Sequence, residues 1–146
     1  MRFESEEDLT REKLVTGIIE KNWNCETIKM PKWDIDLLLH RDGVTTAYAE
    51  IKTYPNTNFE KYDTCFISVR KKIRLDIYEK SFPTLYVLAH CDHVSYIRVS
   101  DIVGEEKMLS RKNQREGAVN DTEMVVYFKR SLLKCICRGD IFGAKV

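Results

Sequence analysis

Trp33-Asp34-Ile35-Asp36-Leu37-Leu38-Leu39-His40, then Arg41-Asp42-Gly43, then Val44-Thr45-Thr46-Ala47-Tyr48-Ala49-Glu50-Ile51-Lys52-Thr53, is the stretch that decides the fold. An Asp-Gly pair between two apolar runs signals a β-hairpin, because both residues tolerate the positive φ of a tight turn. The predicted strands are Trp33 to His40 and Val44 to Thr53, and charges interrupt both. Side chains alternate along a strand, so Glu50 and Lys52 point to one face while Ala49 and Ile51 point to the other. Charge within an apolar strand is costly to bury, so these acids and this lysine need a reason to be there.

Whether the acids meet depends on the turn, since directly opposed residues of an antiparallel pair share a face and their numbers have a constant sum. A three-residue loop, Arg41-Asp42-Gly43, places Asp34 opposite Glu50 and leaves Asp36 diagonal to it. With Asp42 to Val44 as the loop, Asp36 itself opposes Glu50. A two-residue Asp-Gly turn sends Glu50 and both aspartates to opposite faces and removes the shared site.

Two acids from adjacent strands suit a hard divalent cation such as Mg²⁺, which takes one or two carboxylates plus water and phosphate oxygens. Phosphodiester hydrolysis uses such an ion to polarise the phosphate and acidify the attacking water. A lysine two residues beyond one acid can orient that water and offset charge in the transition state. The competing reading is an ordinary solvated Glu–Lys pair. The apolar flanks Leu37 to Leu39 and Ala47 to Ile51 argue against it.

Upstream of the hairpin, Leu14, Val15, Ile18 and Ile19 recur at helical spacing, and Ser5 before Glu6, Glu7 and Asp8 suits a helix start, which predicts a helix from Glu6 to about Asn22. Cys25 to Met30 reads as a short edge strand before Pro31. Downstream, Tyr54 to Asn58 is a loop, and Val69, Ile73 and Ile77, four apart, predict a second helix over Phe66 to Lys80. Leu85 to Ala89 and Val94 to Val99 are β-rich runs joined by His90-Cys91-Asp92-His93. Gly104 to Asp121 is polar and predicted to be a loop. Met124 to Lys129 is a strand, and Leu132 to Ile136 is a short apolar segment. The order predicts a mixed sheet between helices, an α/β (α+β) sandwich.

An aspartate opening an apolar strand, a Gly turn and the apolar-flanked Glu50-Ile51-Lys52 together resemble the PD-(D/E)XK nuclease superfamily over roughly half the chain. The resemblance implies a restriction-endonuclease-like αβββαβ core, which agrees with the elements just read. It implies that Asp36, Glu50 and the Ile51 carbonyl hold Mg²⁺ or Mn²⁺ and that Lys52 assists the attacking water. Asp34 is the stand-in for Asp36, and no Pro directly precedes either aspartate; Pro31 lies upstream. Several members carry a glutamate on the first helix. Residues Arg11 to Val15 and Glu20 to Trp23 resemble that helix in archaeal-type junction resolvases, which implies a site role for Glu12, with Glu7 competing. A basic residue on the helix after the Glu-x-Lys strand lies near the substrate phosphate in similar nucleases. Lys72 fits that place, with Lys71 beside it.

A chain of 146 residues and net charge +1 is expected to form one domain over residues 1–146, without a global attraction to polyanions. A basic cluster at Arg70, Lys71, Lys72 and Arg74 is the candidate local exception, while one at Arg111, Lys112 and Arg115 reads as a solvated face. No run is apolar enough to span a bilayer, and the acidic start does not resemble a signal peptide, so a cytoplasmic protein is expected, in a host cytoplasm if the chain is viral. The five cysteines show no CxxC spacing and read as reduced thiols. His90-Cys91-x-His93 reads as a turn rather than a zinc site. The expectation is thus a metal-dependent endodeoxyribonuclease of small phage or resolvase-like type, acting on DNA as a homodimer or within a larger complex. The alternative is a nuclease-fold DNA-binding or assembly protein without turnover.

Overall fold

The computed structural model describes residues 5–31, 34–110 and 122–143. Trp33 and the cluster Arg111, Lys112 and Arg115 lie outside the described residues. Helix α1 spans Glu6–Trp23. Ser5 and Asp8 close its start reciprocally, each side chain accepting the other's backbone N–H. Asn24, left-handed at φ 48°, ends it. Val15 and Ile19 form its buried stripe, while Leu14 stays exposed.

Strands β1 (Glu26–Lys29), β2 (Leu37–Arg41) and β3 (Val44–Tyr54) follow, each antiparallel to the one before. β4 (Thr64–Ser68) leads into helix α2 (Val69–Glu79), and β5 (Thr84–His90) then returns parallel to β3. β6 (His93–Arg98), β7 (Glu105–Ser110), β8 (Thr122–Lys129) and β9 (Lys134–Arg138) complete the order. Six strands form a mixed sheet in the order β1-β2-β3-β5-β6-β9, and β4-β8-β7 form a second, smaller sheet.

The large sheet is buried on both faces, as its near-continuous apolar strands require. On one face α1 sets Val15 and Ile19 against Leu37, Ala49, Ile51 and Val87. On the other, Leu75 of α2 and Ile67 and Phe128 of the small sheet pack on Tyr86 and Leu88. The β3–β5 pair is parallel and needs a crossover, and β4 with α2 supplies it.

The hairpin departs from every single-turn alternative. Its turn is the two-residue Asp42-Gly43, both at positive φ (52° and 78°), with Arg41 opposite Val44. Between His40–Thr45 and Leu39–Ala47 the register shifts, leaving Thr46 unpaired as a bulge. The bulge adds the one residue that the short turn lacks. From Leu39 onward the pairing is therefore the one that puts Asp36 opposite Glu50, although the turn is the one expected to separate them.

The strand expected from Trp33 begins, among the described residues, only at Leu37, so Asp34 to Asp36 precede β2 rather than lie in it, and two further segments differ from expectation. Phe66 to Ser68 is strand, not helix, because Cys65 and Ile67 alternate into the core and the segment pairs with β8; Ser68 then caps α2 by accepting the Lys71 N–H at 3.1 Å. Residues 105–110, expected in a loop, form edge strand β7, whose exposed side chains leave no apolar alternation to read. Just before it, a Cβ on Gly104 would lie 1.7 Å from the Tyr127 carbonyl oxygen, so β7 enters against the β8 backbone where only glycine fits.

Candidate active site

Tyr48, Glu50 and Lys52 alternate onto the face of the large sheet that α2 covers. Helical periodicity sets Lys71, Arg74, Leu75 and Tyr78 along the covering side of α2. Tyr78 packs edge-on against Tyr48, with ring centroids 5.0 Å apart, and Leu75 is fully buried. The helix therefore lies over Glu50.

Glu50 is fully buried, and Asp36 is buried beside it. The two residues clasp across the strands: the Asp36 N–H donates to Glu50 Oε1 at 3.2 Å, and the Ile51 N–H donates to Asp36 Oδ2 at 2.8 Å. The other Glu50 oxygen, Oε2, faces two cations from α2, Lys71 Nζ at 3.2 Å and Arg74 Nη2 at 3.6 Å. Two buried carboxylates this close repel one another, and these two positive charges offset that repulsion in a poorly screened place. Lys52, partly buried, follows Glu50 on the same face. Tyr86 neighbours Glu50 on β5 and donates its hydroxyl to the Phe66 carbonyl at 3.3 Å. Burial above all, with Tyr54 and Glu50 nearby, holds its proton on well beyond the ordinary phenol range.

The donor set suits a hard divalent ion. Asp36 and Glu50 offer carboxylate oxygens and no sulfur or imidazole, the choice that Mg²⁺ and Mn²⁺ favour. Among the described residues no group of three or more His, Cys, Asp or Glu side chains is placed to hold a metal. An ion here would thus take two carboxylates, with backbone carbonyl, water or phosphate oxygens completing its shell.

The remaining sequence candidates fall at different distances from this pair. Glu12 is buried but ion-paired to Lys29, on the strand opposite Leu37, and does not gather with Asp36 and Glu50 into one cluster. Glu7 pairs with Arg11 on the solvent side of α1. Asp34 serves its own turn: its Oδ1 accepts the Ile35 N–H at 2.9 Å. Lys71 reaches Glu50, whereas Lys72 points along the helix to Asp76 at 3.1 Å and lines a groove with Ile73 and Val103. Arg74, visible in the sequence only as a member of a basic cluster, joins Lys71 at Glu50. Its signal was available, three residues after Lys71 and one before the buried Leu75.

The His90-Cys91-Asp92-His93 segment is a two-residue turn between β5 and β6, with the histidines paired across it. His90 stacks on Tyr54 at 4.9 Å, and His93 lies 3.8 Å from the Phe59 ring. Burial lowers both pKa values, and for His93 Arg138 adds to the effect. All five cysteines are free thiols.

A family model described as "Phage putative PDDEXK endonuclease" matches residues 1–136. No curated protein matches the chain. Among solved structures, the chain is similar to Hjc, a Holliday junction resolvase from Archaeoglobus fulgidus, at a TM-score of 0.51 and 8% identity, covering 84% of this chain and 86% of that one. At that identity the likeness is one of fold.

Proposed function

Because the chain belongs to this phage PDDEXK endonuclease family, we propose that it is a metal-dependent endodeoxyribonuclease with its reaction centre at Asp36, Glu50 and Lys52. The observation that carries this reading is the clasp of two buried carboxylates across the β2–β3 hairpin, followed by a lysine on the same face. An ordinary surface Glu–Lys pair would be exposed, and Glu50 is not.

Asp36 and Glu50 would hold Mg²⁺ or Mn²⁺ with the Ile51 carbonyl. When bound, the ion would polarise the phosphodiester and acidify the attacking water. Lys52 would orient that water and balance the charge that builds on the phosphate. The Asp36 N–H and the Ile51 N–H hold the two carboxylates in place. The fold neighbour's title names a Holliday junction resolvase, which makes branched DNA the first substrate to try, cut by a homodimer or a larger complex.

One observation favours a nuclease-fold binding protein without turnover: Lys71 and Arg74 already balance Glu50. A substrate panel separates the two readings. Four-way junction, supercoiled and single-stranded DNA, with RNA as control, are incubated with the protein in Mg²⁺, in Mn²⁺ and in chelator. Strand cleavage that requires the ion and is fastest on the junction is the expected result. DNA binding with no cleavage under any of these conditions would establish the silent reading.

A further inference from the structure

Oε1 of Glu50 accepts the Asp36 N–H, while Oε2, which makes no hydrogen bond among the described residues, lies at ion-pair distance from Lys71 and Arg74. Lys71 is mostly buried, whereas the Arg74 side chain is 41% exposed, so one cation sits deep and the other reaches toward solvent. Counting charges, Asp36 and Glu50 against Lys71 and Arg74 sum to zero. A divalent ion at Glu50 would thus join carboxylates whose charge two cations already balance, 3.2 and 3.6 Å from its ligand. In a poorly screened interior that repulsion is large. A DNA phosphate reverses the balance, because it is anionic and offers the guanidinium and ammonium a replacement partner.

We propose that Lys71 and Arg74 form a cationic latch on Glu50 which hands over to a DNA phosphate, so that divalent-ion binding and DNA binding reinforce each other. The inference rests on the nuclease reading and assigns Arg74 and Lys71 a shared task in it: they withhold Glu50 from the ion without DNA and grip the phosphate with it. Positive coupling of this kind is reciprocal, the ion raising affinity for DNA by the factor that DNA raises affinity for the ion. The latch also restrains metal-driven reactions on anything other than a bound strand.

The test is Mn²⁺ binding, read by the electron paramagnetic resonance signal of the free ion, with and without a four-way DNA junction. All measurements use the Lys52→Ala background, so that the DNA stays whole. The latch predicts Mn²⁺ affinity about 5–150-fold higher with DNA than without it, the usual range for such coupling. Lys71→Met and Arg74→Met, made singly so that one cation still balances Glu50, should each tighten Mn²⁺ binding without DNA by about five-fold or more and shrink the coupling. Circular dichroism checks that both fold; should neither fold, the coupling in the Lys52→Ala protein alone still decides. Mn²⁺ binding that needs Glu50, being lost in Glu50→Gln, but that DNA does not strengthen would overturn the latch and leave the nuclease reading standing. Mn²⁺ binding indifferent to Glu50→Gln would overturn both.

Discussion

Asp34 and Asp36 lie two residues apart in one apolar run, and strand alternation alone assigns them the same face. The structure separates them by backbone chemistry. Asp36 accepts the Ile51 N–H and sits buried at Glu50, whereas Asp34 closes a local turn onto Ile35. Asp36→Asn should therefore lower metal-dependent cleavage by about 100-fold or more, and Asp34→Asn should leave it within a few-fold, compared as single-turnover rates. A loss confined to Asp34→Asn would reverse the assignment. His90 and His93 pose a separate question at the same scale. Burial lowers both pKa values below the ordinary 6.5, while Asp92 near both and Glu60 near His93 oppose the shift without overcoming it. His90 Nδ1 and His93 Nε2 are buried with no hydrogen-bond partner among the described residues, so a charged imidazole fits the fold poorly. With folded-state values below the unfolded one, the unfolded chain binds more protons in this window. Stability is then full above about pH 6.5 and declines as pH falls below it. Urea midpoints should drop between pH 7.5 and 5.5, and replacing both histidines by glutamine should flatten that dependence.

The β2–β3 hairpin shows what turn chemistry predicts and what it leaves open. Asp42-Gly43 was legible as a turn, and strand alternation put Glu50 and Lys52 together whatever the loop did. The bulge was not legible, because Thr45-Thr46 carries no glycine and both threonines suit a regular strand. Its effect is to shift register by one residue, the difference between a shared site and none. Because Thr46 is the residue left over, deleting it should give a regular two-residue hairpin that keeps the pairs from Leu39–Ala47 to Leu37–Ala49, and with them the contact of Asp36 with Glu50. The cost should be about 1 kcal/mol, for the lost Thr46 hydroxyl bond to the Leu39 carbonyl, measured by urea denaturation. Cleavage should persist. A folded deletion variant without activity would mean that the bulge itself aims Glu50. Helix α2 teaches the complementary lesson: its basic residues were visible as a cluster, but only packing showed that Lys71 and Arg74 face the sheet while Lys72 turns to Asp76.

For the molecule as a whole, the central mixed sheet was readable because its strands come as local hairpins and one helix crossover, each with its own turn or periodicity. The small sheet was not. β4 meets β8 across some sixty residues of chain, and β7 is too exposed to show a pattern. Pairing of that range is decided by tertiary packing, here the shared core of Ile67, Val126 and Phe128 over Tyr86 and Leu88. Leu75 of α2 shares that core, so the part of the fold least legible in the sequence helps anchor the helix that carries Lys71 and Arg74. Among the described residues no helix is long and apolar enough to cross a membrane. The central claim is that this buried hairpin pair works with Lys52 to hydrolyse DNA. Single-turnover cleavage of a labelled four-way junction in Mg²⁺ by the wild-type and Lys52→Ala proteins tests it most directly. Lys52→Ala should bind the junction as the wild type does and cut it about 10²–10⁴-fold more slowly; equal cutting by the two proteins would contradict the claim.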